Sequence, residues 1–282
     1  MKRALIMEGG AMRGLFTCGV IDVLMENGIS FEGAAGISAG AVFGCNFKSH
    51  QIGRPRRYNE KYSKDPRYGS IISWLKTGDL FDADFCYREL AYVLDPFDAK
   101  TYAEDPMEFY VGCTDAQTGK IEFHLCMKGD EEDMKWMRAS ASLPVASRPV
   151  YIDGRLYLDG GIACSVPYAF MEEKGYDRNL IILTQPKGYR KKKTSLLPAM
   201  KVMLKRYPKI YEAMENRHIM YAKQMEEIEE REAQGKVLVL RPEESLGIGR
   251  TEKDPKELER VYQEGRKETL RRLDEIRSFL NE

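Results

Sequence analysis

Two short apolar runs near the start of the chain each end in a glycine-bearing turn and pass directly into a helical pattern. Arg3 to Met7 is the first run, broken by Glu8-Gly9-Gly10. From Arg13 onward Leu15, Phe16, Val20, Val23 and Leu24 recur at helical spacing, and Gly28 marks the C-cap. Phe31 to Ile37 repeats the strand, and the small-residue stretch Ala39 to Phe47 repeats the helix. Two β-to-α turns this close together predict an α/β fold with a largely buried sheet.

The remaining segments fit that frame. Residues 51–106 read as helices and loops punctuated by Pro55, Pro66, Pro96 and Pro106. Glu108–Thr114 and Lys120–Met127 predict a hairpin, and Val150–Leu158 another about Asp153-Gly154. Asp133 to Ala141 predicts a helix, Asn179–Thr184 and Lys236–Leu240 predict strands, and Leu196–Arg231 predicts two helices broken at Pro208. Lys256–Leu280 predicts one long amphipathic helix. The chain shows no internal repeat and no clear domain-splitting linker.

Composition removes several function classes. Lys+Arg and Asp+Glu stand at 44 each, so no strongly basic surface is expected and no nucleic-acid partner. Three His, and six Cys without a C-x-x-C pair, predict no metal site and no cofactor held by one. The cysteines read as free thiols in a reducing cytoplasm. The apolar run before Glu8 is too short for a secretory signal, and no stretch is long enough for a membrane span.

Three glycine-bearing motifs carry the chemistry. Gly36-Ile37-Ser38-Ala39-Gly40 is G-x-S-x-G between a predicted strand and a predicted helix. A serine on so sharp a turn presents its hydroxyl to a substrate, and small neighbours let the flanking chains close on it. Glu8-Gly9-Gly10-Ala11-Met12-Arg13-Gly14 is a run of backbone N–H groups at a helix start, suited to an anion or an oxyanion. It lacks the Gly-Lys-Ser/Thr of a phosphate-binding loop and the third glycine of a dinucleotide fingerprint, which weighs against a nucleotide-binding protein. Asp159-Gly160-Gly161 sets a carboxylate at the end of a predicted strand. No histidine has an obvious place as base: His50 follows the helix after Ser38, His124 falls in a strand, and His218 is mid-helix.

In this order, the Gly9–Gly14 loop, the Ser38 motif and Asp159-Gly160-Gly161 resemble the patatin-like phospholipase family, in particular its bacterial members, over roughly residues 3–185. Two further segments look similar, Thr114–Gly119 and Arg138–Pro144, and the tail with Leu246–Arg250 resembles that of a bacterial subgroup. The resemblance implies a three-layer α/β fold with a mostly parallel central sheet and a nucleophile elbow, organised as a catalytic core over 1–185 and an extension of helices and a strand over 186–282 packed on the same domain. It implies a serine acyl hydrolase of lipid esters in which Ser38 is the nucleophile and Asp159 the base, without histidine. Gly9, Gly10 and Ala11 would form the oxyanion hole, with Arg13, Gly14, Gly36, Gly40, Gly160 and Gly161 in support. The loop departs from the family at Ala11, where the family often has glycine; if that position needs positive φ, the loop geometry is in question. A non-catalytic lipid-binding or regulatory protein that keeps the fold is the alternative.

Lys187, Arg190, Lys191, Lys192 and Lys193 fall within seven residues, followed by apolar Leu196, Leu197, Met200, Val202, Met203 and Leu204. This pattern predicts a transient membrane-surface contact through Arg190–Lys193, which would make the protein cytoplasmic and peripheral to the membrane. The Glu226–Glu232 run reads as a solvated helix face.

Overall fold

The fold is taken from a computed structural model in which residues 1–281 are described; Glu282, the end of the predicted 186–282 extension, lies outside them. Among the described residues eight strands form one sheet: β1 (Arg3–Met7), β2 (Gly33–Ile37), β3 (Glu108–Asp115), β4 (Ile121–Leu125), β5 (Val150–Ile152), β6 (Arg155–Asp159), β7 (Arg178–Ile182) and β8 (Val237–Leu240). The order is β5-β6-β3-β2-β1-β7-β8, with β4 also paired to β3. β3-β2-β1-β7-β8 are parallel, and β4, β6 and β5 join antiparallel through the two predicted hairpins.

The helices are α1 (Leu15–Glu26), α2 (Ala39–Lys48), α3 (Arg54–Tyr62), α4 (Ile71–Thr77), α5 (Ala99–Glu104), α6 (Glu131–Ser140), α7 (Tyr168–Glu173), α8 (Leu197–Met203), α9 (Pro208–Ala233), α10 (Pro255–Arg271) and α11 (Leu273–Asn281). A wide π-type turn of helix spans Phe85–Leu94.

Alternation along the parallel strands explains the three layers. Leu5, Met7, Leu180, Ile182, Leu238 and Leu240 point into one core, shared with α1, α2 and α10. Ala4, Ile6, Ile181, Leu183, Val237 and Val239 point into the other, where Tyr221, Met225 and Ile228 of α9 cover them. A strand buried on both faces reads as a continuous apolar run, which is how β1 and β8 appear in the sequence.

Residues after 185 are built into this body. β8 extends the sheet beside β7. α10 lies against α1 so closely that a Cβ on Gly265 would collide with the Phe16 carbonyl, and one on Gly19 with the Tyr262 carbonyl. Tyr262 also donates its hydroxyl to Asp22 Oδ2 at 2.7 Å. The expected single helix over 256–280 is interrupted: α10 ends at Arg271 and α11 begins at Leu273. Arg272, between them, donates Nη1 to the Val239 carbonyl at 2.6 Å, a tertiary contact that periodicity does not contain. The break at Pro208 falls where it is expected. Among the described residues no helix is long and apolar enough to cross a membrane.

Candidate active site

Ser38 occupies the single residue between β2 and α2, at φ 55° and ψ −121°. A side chain in that region is strained, and the surrounding chain must hold it there. Its carbonyl accepts from the amides of Ala41 (2.9 Å) and Val42 (3.1 Å), starting α2. Its own amide donates to Ser140 Oγ at 2.9 Å, and that hydroxyl donates to the Gly112 carbonyl at 2.6 Å. The glycines of the motif are there for close approach: a Cβ on Gly36 would strike the Gly40 backbone, and one on Gly40 the Met7 carbonyl.

Asp159 ends β6, where it pairs with Cys113 of β3. It is 1 % exposed. Its Oδ2 accepts the Ser38 hydroxyl at 2.7 Å and its Oδ1 accepts the Gly161 amide at 2.7 Å. Its backbone is fixed as well: the amide donates to the Ser142 carbonyl at 2.8 Å, and the carbonyl accepts from Thr114 Oγ1 at 2.8 Å. Burial raises its carboxyl above the ordinary carboxylate range; Arg217, the Ser38 hydroxyl, the Gly161 amide and Arg250 pull the other way. Gly160 follows against the Gly112 carbonyl, leaving no room for a side chain. Two of the three histidines are occupied elsewhere: His50 Nε2 lies 2.7 Å from Asp105 Oδ2, and the His124 ring stacks on Trp136; His218, on α9, lines the neighbouring groove with Arg217 and Arg250 and does not line the pocket that holds Ser38 and Asp159.

The Gly9–Gly14 loop leaves β1 beside this pair. A Cβ on Gly9 would come within 2.9 Å of Ser38 Cβ, and one on Gly10 within 2.7 Å of Thr184 Oγ1. Gly14 packs on Ala39 and Phe43. Among the described residues the Gly9 and Gly10 amides have no hydrogen-bond acceptor. Ala11 stands at φ 50°, so the position does require the left-handed region, and alanine adopts it. Glu8 underpins the loop from below, its Oε2 accepting from Thr184 N (2.6 Å) and Oγ1 (3.0 Å).

Two unlike spaces meet at Ser38. One is an apolar cavity of about 140 Å³ lined by Met12, Val42, Phe43, Phe81, Leu90 and Met137, among others. The other is a small polar pocket that holds Gly9, Gly10, Ala11, Ser38, Asp159 and Gly161 together with Arg13, Lys191, Arg217 and Arg250. Arg217 Nε donates to the Gly161 carbonyl at 2.5 Å. The Lys191 ammonium sits 4.3 Å from the centre of the Tyr221 ring, and burial pushes it down to about 7.

The basic run is thus divided. Lys191 turns into the pocket, Lys193 pairs with Glu215 at 3.0 Å, and Lys187, Arg190 and Lys192 stay exposed. The structure also brings in residues to which the sequence reading gave no role. Ser140 and Thr114 fall in segments noted only for their similarity. Arg217 carried a signal that went unread: it falls on the apolar stripe of Ile210, Met214, Tyr221, Met225 and Ile228, spaced by threes and fours along α9. A charge on a buried stripe has something to do there.

Comparison with known proteins places these features. The model of a domain of unknown function (DUF6363) matches residues 207–281, the part that carries Arg217 and Arg250. The uncharacterized protein YjjU of Escherichia coli K12 is 29% identical over 188 residues, covering 65% of this chain and 52% of its own length. Lysophospholipase NTE1 of Coccidioides immitis is 25% identical over 182 residues, covering 61% of this chain and 11% of its own length. The chain therefore spans about half of one curated relative and about a tenth of the other. The crystal structure of VipD from Legionella pneumophila aligns over 97% of this chain and 67% of that one, at a TM-score of 0.47 and 14% identity. The patatin-like phospholipase model matches residues 5–171, from the first strand past Asp159, and by that match over more than half its length this chain belongs to the patatin-like phospholipase family.

Proposed function

We propose that the protein is a serine acyl hydrolase that cleaves carboxylic esters of lipids through Ser38 and Asp159. Membership of the family supports lipid ester hydrolysis in general terms. The observation that carries the finer reading is the 2.7 Å hydrogen bond from a serine on a strained turn to a buried carboxylate. Gly9, Gly10 and Ala11 line the same polar pocket as that pair, and Ser38 also lines the apolar cavity.

In this mechanism Ser38 Oγ attacks the ester carbonyl carbon while its proton passes to Asp159 Oδ2. The carbonyl oxygen becomes an oxyanion facing the amides of Gly9, Gly10 and Ala11, where preorganised donors stabilise it. The carbon–oxygen bond to the alcohol breaks, and the alcohol leaves with the proton from Asp159. Water then attacks the acyl-serine, its proton going to Asp159, and the acid departs as Ser38 recovers its hydrogen. Asp159 is a stronger base than a solvated aspartate because burial has lifted its pKa. The apolar cavity receives the acyl chain.

The test is labelling by a fluorophosphonate together with turnover of a p-nitrophenyl ester. Ser38→Ala loses both, and Asp159→Asn loses turnover with a native circular dichroism spectrum. A wild-type protein that neither reacts with the probe nor hydrolyses any ester refutes the reading and leaves the fold as a lipid-binding module.

We extend the proposal to a lipid surface as partner. Ile71, Ile72 and Leu75 of α4 and Val202 and Met203 of α8 are exposed, and Ile71 and Met203 line one groove with Lys192, Arg217 and Arg250. Apolar side chains rimmed by cations suit the interface of an anionic bilayer. Within Arg190–Lys193, Arg190 and Lys192 are exposed and form no ion pair among the described residues, whereas Lys191 turns into the pocket and Lys193 is engaged by Glu215. Six unpaired cysteines suit a cytoplasmic protein peripheral to the membrane. Sedimentation with vesicles rich in phosphatidylserine tests the contact; equal binding by an Arg190→Gln/Lys192→Gln protein would end it.

A further inference from the structure

Away from Ser38, strand β4 pairs with β3 alone and carries His124, with Cys126 just past its end. Side chains two apart on a strand share a face. Here that face is the one α6 covers: Leu125 between them is exposed, whereas Cys126 is fully buried and meets Asp133 in the first turn of α6, itself nearly buried. An imidazole nitrogen of His124, the Cys126 sulfur and a carboxylate oxygen of Asp133 all lie within 4.8 Å of one another. The sequence has no C-x-x-C or paired-histidine spacing to announce this cluster, since β4 and its end supply two of the groups and α6 the third.

Each of the three is already aimed. The His124 ring stacks on Trp136 of α6, with centroids 4.4 Å apart and planes at 10°, and forms no hydrogen bond among the described residues. Burial lowers its pKa against the pull of Asp133, Glu132 and Asp153, so the neutral ring has a lone pair to give. The Cys126 backbone is pinned at both ends, its amide donating to the Phe109 carbonyl at 2.8 Å and its carbonyl accepting the Tyr102 hydroxyl at 2.9 Å. Asp133 Oδ2 accepts the amides of Lys128 (2.8 Å) and Gly129 (2.7 Å), a backbone clamp of the kind that orients a ligating carboxylate. No cation forms an ion pair with this buried carboxylate among the described residues; the Lys48 ammonium, which feels its charge, donates instead to the Met107 carbonyl at 2.7 Å.

We propose that His124, Cys126 and Asp133 form a binding site for a zinc-class divalent cation that staples β4 to α6. One nitrogen, one sulfur and one oxygen suit zinc, which takes such ligands in a tetrahedron, and do not suit magnesium or calcium, which prefer oxygen alone. Three protein ligands leave the fourth corner to water. Binding expels the thiol proton, and the thiolate and carboxylate then balance the double charge of the ion, so the loaded site is neutral in its buried setting. α6 also carries Ser140, whose hydroxyl accepts the Ser38 amide, so the ion steadies the helix behind the elbow. None of the three ligands lines the pocket that holds Ser38 and Asp159, and the site does not depend on how those two residues act.

The experiment uses the full chain, stripped of metal by a chelator and titrated with cobalt(II) and then zinc. Wild type develops a thiolate-to-cobalt charge-transfer band and the strong visible bands of a tetrahedral ion, saturating at one ion per chain, and zinc abolishes both. Cys126→Ser loses the charge-transfer band, whereas Cys164→Ser, which alters another partly exposed thiol, keeps it. His124→Gln binds zinc more weakly by about tenfold or more. Zinc raises the thermal midpoint of wild type and of Ser38→Ala alike, and much less that of Cys126→Ser or His124→Gln. Absence of the band in wild type, its survival in Cys126→Ser, or equal zinc affinity in His124→Gln overturns the proposal. Should Cys126→Ser fail to fold, the His124→Gln affinity decides alone. These readouts need no ester turnover, so their failure is distinct from failure of the acyl-hydrolase reading.

Discussion

Arg217 in α9 donates Nε to the carbonyl of Gly161, two residues beyond Asp159, at 2.5 Å. A helix outside the segment matched by the family thus fixes the turn that aims the carboxylate at Ser38, and it brings a positive charge next to that carboxylate.

That charge gives a pH prediction. Burial raises the Asp159 pKa, and Arg217 is the largest influence opposing the rise, ahead of Ser38, the Gly161 amide and Arg250. The proposed mechanism needs the carboxylate, so activity is expected to be lost as pH falls through the Asp159 pKa, above the ordinary value of about 3.9. Arg217→Gln removes the opposing charge and moves the acidic limb of kcat/KM to higher pH; Arg217→Lys keeps the charge and moves it less. A pH profile with a neutral p-nitrophenyl ester measures both. A limb unmoved in Arg217→Gln counts against Asp159 as the base.

Lys191 gives a second one. Burial, then repulsion from Arg217, Arg250 and Arg13, bring its ammonium down to about 7 against the attraction of Glu8, with the Tyr221 ring beneath it. The ammonium is charged below that pH and neutral above it. The preference for an ester bearing a permanently charged sulfonate over its neutral analogue is therefore larger at pH 6 than at pH 8, and Lys191→Gln flattens the difference.

Ala11 sits at φ 50°, where an L-residue is disfavoured by about 1–2 kcal/mol. Glycine would relieve this but gives up about 0.5–1 kcal/mol through its freer unfolded chain. Ala11→Gly should therefore gain about 0.5–1 kcal/mol in urea denaturation and keep its ester hydrolysis, because the amide stays in place. Loss of stability would mean that the Ala11 methyl has packing value that the strain estimate ignores.

Where α1 and α10 touch, Gly265 has no room for a methyl group against the Phe16 carbonyl. Gly265→Ala forces the helices apart and should cost about 1–3 kcal/mol, measured as a lowered denaturation midpoint. A neutral result would show that the C-terminal helices ride loosely on the core.

Much of this structure could be read from the residues. The strand–turn–helix units around Gly9 and Ser38 rest on local patterns of apolar spacing and glycine, and they form where those patterns lie. The nearness of Ser38 and Asp159, 121 positions apart, came from a resemblance of ordered motifs, since no local rule joins distant residues. The break at Arg272 and the inward turn of Lys191 escaped because their causes are tertiary: a carbonyl of β8 for one, the Tyr221 ring for the other. Lys191 stands among four other cations and looks like any solvated lysine until its neighbours in space are known.

Ser38 belongs to the second β-to-α turn of the chain, while Arg217 and Arg250 come from its last quarter. During synthesis both Ser38 and Asp159 therefore emerge before the helix whose Arg217 holds the Gly161 carbonyl, so a nascent chain halted between them would carry the pair without the contact that fixes its turn.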